Sequence, residues 1–261
     1  MNILLIHTPA NIISLIESSN KYHKLYTAGS TYSKNIPNFG FRNIQDLVYR
    51  AKALQIDITI NLDKTLVLDN ICEEFKKNRL NLISVNKKWL NLETSRLSAK
   101  KLLSHYSINT AQVINLPLNF PVMMKSDFPK FDIKIENKDD LIQELEQNEK
   151  EKTFFEEYLD GEDFDLTSLW DGKNIFVLNP PENMTEVQKD RFDLFKTKLS
   201  FMFSDEDADF TGFFTTHLIW AKNDWYVKDF SMDIGNESFI PKYDFLYILD
   251  CAIYQKLNEL E

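Results

Sequence analysis

The stretch Thr153 to Lys173 constrains the fold of this chain more than any other part of it. Thr153-Phe154-Phe155-Glu156-Glu157-Tyr158-Leu159 reads as a strand carrying a carboxylate pair, and Asp160-Gly161 as a tight turn. Glu162-Asp163-Phe164 then opens a second strand with acids at its head, and Asp171-Gly172 marks a hairpin. Side-chain alternation points Glu156 and Tyr158 to one face of the first strand, Glu157 and Leu159 to the other. Glu156, Glu157, Glu162 and Asp163 thus gather in the expected Glu156–Asp163 hairpin. Such a group is either the solvated edge of a sheet or a polar grip on a ligand.

What flanks this segment differs on its two sides. Asn2–His7 is a short apolar run of the kind a buried parallel strand shows, and Ile12, Ile13, Leu15 and Ile16 predict a helix after it. Strands are expected at Leu25–Ala28, Ile56–Ile60 and Leu82–Val85, with helices at Asp46–Leu54 and Leu66–Lys77. A further helix carries Leu97, Leu102 and Leu103 on one side and ends near Ser107. Strands alternating with helices at this spacing imply βαβ units and a small parallel α/β lobe over about residues 1–115. Beyond it the pattern is α+β, over residues 116–261, with a small subdomain at about 116–180. Expected there are a strand at Pro121–Lys125 and a polar helix at Asp139–Gln147 whose apolar face is Leu141, Ile142 and Leu145. A long amphipathic helix uses Phe192, Phe195, Leu199, Met202 and Phe203; strands follow at Phe210–Ala221 and Trp225–Met232, then a helix at Asp244–Leu260.

Composition narrows the function classes. A net charge of −10 over 261 residues lacks the basic stripe that nucleic acid requires. No run approaches the roughly 18 apolar residues that span a bilayer, and the N-terminus lacks the basic start of a secretory signal. A cytoplasmic protein with no membrane partner is therefore expected. Cys72 and Cys251 sit apart in apolar helical contexts, as reduced buried thiols do. The turn after the first strand, His7-Thr8-Pro9-Ala10-Asn11, has no Gly, which argues against a dinucleotide cradle there. Lys125 ends an apolar strand, where a cation could reach phosphate or simply be solvated. Asp229, Ser231 and Asp233 alternate along one strand and so share a face; oxygen ligands at that spacing suit Mg²⁺, as does a half-exposed antiparallel strand.

Taken in order, these elements resemble the ATP-grasp ligases, and among them phosphoribosylamine–glycine ligase of purine biosynthesis. The resemblance runs through Leu92–Lys101 with His105–Thr110, Phe120–Asp127, Phe155–Lys173, Met184–Phe203 and Tyr226–Asn236, with Phe155–Lys173 the most specific piece. It implies a pre-ATP-grasp lobe followed by an ATP-grasp-like lobe, with ATP and Mg²⁺ as cofactors. It also implies a small-molecule carboxylate, phosphorylated and then passed to an amine. By resemblance, Arg96 and Lys125 would hold phosphates, and Glu156, Glu157, Tyr158 and Leu159 would form the hinge that binds adenine. Asp163 would hold the ribose, while Asp229 and Ser231 would hold the metal. Asp233 stands where the family has an Arg.

The chain also departs from that pattern. The family's Gly-rich loop is reduced to Phe128-Pro129-Lys130-Phe131, and its basic segment after Val177 to Leu178–Glu182. The family's C-terminal domain, which would follow Leu260, is expected to be absent. Nucleotide binding with reduced, altered or lost ligase activity is expected, because catalysis of phosphoryl transfer rests on positioned donors. The alternative is a non-catalytic scaffold that binds a partner, for which exposed aromatics near Phe128 or Phe239 would speak.

Overall fold

The computed structural model describes residues 1–19, 23–29, 35–148, 151–234 and 242–260. Gly235, Asn236 and Phe239 lie outside the described residues. The first elements are β1 (Asn2–Ile6), α1 (Ala10–Glu17), β2 (Lys24–Ala28), β3 (Asn38–Phe39), α2 (Ile44–Ala53), β4 (Ile58–Asn61), α3 (Lys64–Leu68), α4 (Ile71–Lys77) and β5 (Leu82–Ile83). They form a parallel sheet in the order β3-β2-β1-β4-β5. β1 shows why an unbroken apolar run is needed: Ile3 and Leu5 enter one core and Leu4 and Ile6 the other. α2 and α4 cover the second face. The first is covered by α1 and, from the far end of the chain, by α9 (Phe245–Ile253), through Phe245, Leu246 and Leu249.

Two antiparallel sheets follow. α5 (Lys87–Thr94) and α6 (Arg96–His105) lead to β6 (Val113–Ile114), β7 (Val122–Asp127), β8 (Lys130–Ile135), α7 (Lys138–Gln147) and β9 (Thr153–Glu157). Their strands make a sheet of order β6-β9-β7-β8. β10 (Glu162–Trp170), β11 (Ile175–Val177), β12 (Gly212–Ala221) and β13 (Asp224–Ser231) make the other, of order β11-β10-β12-β13. α8 (Glu186–Asp205), started by a Thr185–Gln188 capping box, buries Phe192, Phe195, Leu199, Met202 and Phe203 against that sheet in an aromatic core with Trp170, Phe214 and Trp225. Asp171 closes the β10–β11 hairpin: its Oδ1 accepts from the N–H groups of Lys173 (2.8 Å) and Asn174 (2.7 Å), while Gly172 takes φ 92°. No helix among the described residues is long and apolar enough to cross a membrane.

Several expectations are corrected. β9 and β10 do not pair: each belongs to a different sheet, so Asp160-Gly161 is a crossing between sheets rather than the turn of a hairpin. The apolar content of both strands hid this, since each finds a partner of its own. The single helix expected over Leu66–Lys77 is two, broken where Asn70 adopts φ 66°, a conformation Asn tolerates. That over Asp244–Leu260 likewise stops at Ile253 and resumes as a short 3₁₀ turn after Gln255, at φ 57°. α5 was not anticipated, although Asn86 caps it by accepting from the Trp89 N–H at 3.1 Å. On α6 the leucine stripe misleads: Leu97 is exposed, and the buried face is Arg96, Ala99, Lys100 and Leu103. On α7, Ile142 and Leu145 are exposed and Leu141 alone packs on the small sheet. β13 ends at Ser231, so its alternation does not reach Asp233.

Candidate functional site

The crossing from β9 to β10 opens a cleft between the two antiparallel sheets. A cavity of about 190 Å³ there is lined by Met123 and Lys125 of β7, Glu156 to Leu159, Gly161 and Asp163, with Ile219 and Lys228 opposite. It leads into a second hollow of about 270 Å³ formed by Lys130, Asp132, Asp165, His217 and Asp229. Asp132, Asp163 and Lys228 line both. The structure thus brings the expected residues Lys125, Glu156, Glu157, Tyr158, Leu159 and Asp163 to one wall, and Asp229 to the far end.

Behind this wall lies a chain of buried charge. Glu156, 2% exposed, takes Lys125 on Oε1 (2.9 Å) and Lys100 on Oε2 (2.7 Å). Lys125 is itself 1% exposed and lies 3.5 Å from Asp132. Arg96 reaches Asp132 through Nη1 (2.6 Å) and Asp229 through Nη2 (2.9 Å) and Nε (3.0 Å), while Nη1 also donates to the Ser126 and Phe131 carbonyls. Lys130 completes the set at 2.8 Å from Asp229. Local sequence explains the arrangement. Arg96 and Lys100 are four apart on α6 and share its buried face. Lys125 and Asp132 face each other across the tight β7–β8 hairpin.

The fields follow from these distances. Burial lowers the Lys100 pKa, with Glu156 partly offsetting it. Burial also pushes the Asp229 carboxyl up, but Arg96 and Lys130 outweigh it and hold it below the usual carboxylate range. A carboxylate with a depressed folded-state pKa stabilises the fold above its ordinary value, and this contribution is lost as pH falls through the folded pKa. Asp229→Asn is therefore expected to flatten the loss of stability below about pH 4, as read from denaturation midpoints across an acid series. An unchanged acid limb would contradict that.

The remaining expected residues lie close by. Glu157 pairs with Lys222 and accepts from the Gln112 N–H at 3.2 Å. Lys134 lies 4.4 Å over the Tyr158 ring, and Leu159 is buried with Ala111 and Ile219. Both Asp163 oxygens sit 2.9 Å from Lys228. Ser231 Oγ is 2.9 Å from His217 Nε2, turned to that ring, and Asp233 meets Lys64 at 2.9 Å, near Glu93. Sequence reasoning missed Lys100, Lys130, Asp132, Asp165, His217 and Lys228. A signal existed for three of them: Lys100 by its helical spacing from Arg96, and Lys130 and Asp132 by alternation on the strand opposite Lys125.

No protein-family model matches the chain. It is 22% identical over 303 aligned positions to the phosphoribosylamine–glycine ligase of Fusobacterium nucleatum subsp. nucleatum, which covers 94% of this chain and 71% of that one. Its fold matches a crystal structure of phosphoribosylamine–glycine ligase from Thermotoga maritima with a TM-score of 0.69 at 15% identity, over 90% of this chain and 70% of the other. The chain is a divergent relative of phosphoribosylamine–glycine ligase. The likeness in fold reaches other ATP-grasp proteins. A biotin carboxylase–β,γ-ATP complex from Campylobacter jejuni matches with a TM-score of 0.63 at 14% identity, over 90% of this chain and 66% of that one. The parallel lobe followed by two antiparallel sheets is therefore the ATP-grasp architecture expected from the sequence.

Proposed function

We propose that this protein binds an adenine nucleotide in the cleft between its antiparallel sheets, with a ligase activity altered from that of its relatives. The observation that carries the reading is one wall of the cavity: Glu156–Leu159 leaves one sheet and Asp163 enters the other, with buried Lys125 behind them. In this reading adenine lies against Met123, Leu159 and Ile219, along the backbone of Glu157–Leu159. Asp163 takes the ribose and Lys125 faces the phosphates, with Arg96 acting from behind Asp132 and Asp229. The relatives' names support an activity of the carboxylate–amine ligase class, with small-molecule substrates.

An incoming metal would meet one carboxylate here, whose oxygens already have partners. Asp229 already meets Arg96 and Lys130 through Oδ2 and the Phe230 N–H through Oδ1. Among the described residues no group of three or more His, Cys, Asp or Glu side chains could hold a metal ion. These donors fit a Mg²⁺ carried in on phosphate oxygens, with Asp229 as its protein contact, better than a pre-bound ion. Such an ion would supply charge neutralisation of the phosphates. The protein's own part is to fix the cations: Arg96 and Lys130 are held by Asp229, and Lys125 by Glu156.

Calorimetry and thermal shift with ATP and Mg²⁺ test the reading; no heat and no shift at millimolar nucleotide would sink it. Asp132 sharpens it. It bridges Arg96 and Lys125 as an internal anion, in competition with any incoming phosphate. Asp132→Asn is expected to tighten nucleotide binding about tenfold, roughly 1.4 kcal/mol. Weaker binding in that variant would mean that Asp132 assists the ligand and does not compete with it.

A further inference from the structure

We propose that Ser231 is a base-activated nucleophile that takes part in acyl transfer from activated acyl compounds such as esters, thioesters or acyl phosphates. It works through His217 and Asp165, three residues on three adjacent strands of one sheet. His217 lies directly opposite Asp165 across β10 and β12, and its Nδ1 is 2.5 Å from Asp165 Oδ1. Ser231 is the diagonal neighbour of His217 on β13, with Oγ 2.9 Å from Nε2. A carboxylate only accepts, so the proposed arrangement has a ring proton on Nδ1; in the neutral ring Nε2 is then the acceptor for the Ser231 hydroxyl. A hydroxyl on a base that is itself oriented by a carboxylate is what nucleophilic catalysis by serine requires.

Burial does not force this chain of bonds. The Asp165 and His217 side chains are 39% and 30% exposed, so water could satisfy both without either touching the other. Both line the hollow at the end of the cleft, alongside Lys130 and Lys228. Those cations, paired with Asp229 and Asp163, put positive charge in the same hollow. In the first step the Ser231 proton passes to His217 Nε2 as Oγ bonds to the acyl carbon. The bond from that carbon to the leaving oxygen or sulfur then breaks, and the leaving group takes the proton back from Nε2. Water repeats the sequence on the acyl-serine and releases a carboxylic acid. No oxidant, metal or nucleotide enters the balance, although the hollow is shared with the phosphate end of the nucleotide reading.

The test is labelling of the intact chain with a fluorophosphonate, mapped by peptide mass spectrometry, together with p-nitrophenyl acetate hydrolysis. One equivalent of label on Ser231 is expected, with an ester-hydrolysis burst that Ser231→Ala abolishes. His217→Gln and Asp165→Asn should each slow labelling by about tenfold or more, with thermal midpoints close to the parent. Wild-type protein whose Ser231 reacts no faster than its other serines would overturn the proposal. So would His217→Gln protein that folds and labels at the parent rate.

Discussion

Glu156→Ala is expected to remove about 3–5 kcal/mol of stability, the usual cost of deleting one partner from a buried ion pair. Among the described residues Glu156 is the single carboxylate that meets both Lys100 and Lys125, each no more than 5% exposed. Without it, Lys100 retains the Thr110 hydroxyl and the Ala111 carbonyl, and Lys125 retains Asp132 at 3.5 Å. None of these neutralises Lys100, whose charge burial already disfavours. At about 2–4 °C per kcal/mol for a chain of this size, the melting midpoint should fall by about 6–20 °C. Adding Lys125→Met to Glu156→Ala should cost less than the sum of the two single changes, because the second no longer breaks a pair. A contrasting control is Asp163→Ala, which removes an ion pair whose carboxylate is 63% exposed and should move stability by under about 1 kcal/mol. Equal effects of Glu156→Ala and Asp163→Ala would show that the buried pair is energetically no different from a solvated one.

Gly161→Ala is expected to cost about 3 kcal/mol, at the upper end for an overpacked site, and to abolish nucleotide binding. A Cβ at this position would stand 2.1 Å from the Trp220 carbonyl oxygen and 2.9 Å from its carbonyl carbon. That neighbour is backbone near the end of β12, held in the ladder where Glu162 pairs with Trp220, so it has no rotamer through which to yield. The accommodation must come from the crossing itself, and the crossing positions Tyr158, Leu159 and Asp163 around the cavity. Loss of thermal stability with nucleotide affinity intact would show that the crossing shifts without carrying the cavity wall.

Much of the secondary structure is legible along the chain because burial leaves a local trace. β1 reads directly, since a strand covered on both faces must be apolar at every position. α8 reads as directly, its five core residues falling on one helical stripe. The failures also have local causes. α6 turns two cations inward, so an apolar stripe selects the wrong face. At Asn70 and Gln255 single residues in left-handed backbone split helices that propensity alone would run together. The Glu156–Asp163 segment reads as a hairpin because two strands joined by a tight Gly turn ordinarily pair. Nothing within the segment reveals that each already has a partner elsewhere.

The sequence by itself determined the order of α/β and α+β units, the likeness to ATP-grasp ligases, and a group of polar side chains around Glu156 and Asp163. Those properties are written in residue type and short-range spacing. Only the tertiary structure decided what those side chains meet. Glu156 became the buried counter-ion of two lysines, Asp132 the anion between Arg96 and Lys125, and Ser231 the partner of His217. The partners are separated by as many as 133 residues, as Arg96 and Asp229 are. Coulomb and hydrogen-bond energies depend on distance in space, which local sequence pattern does not encode.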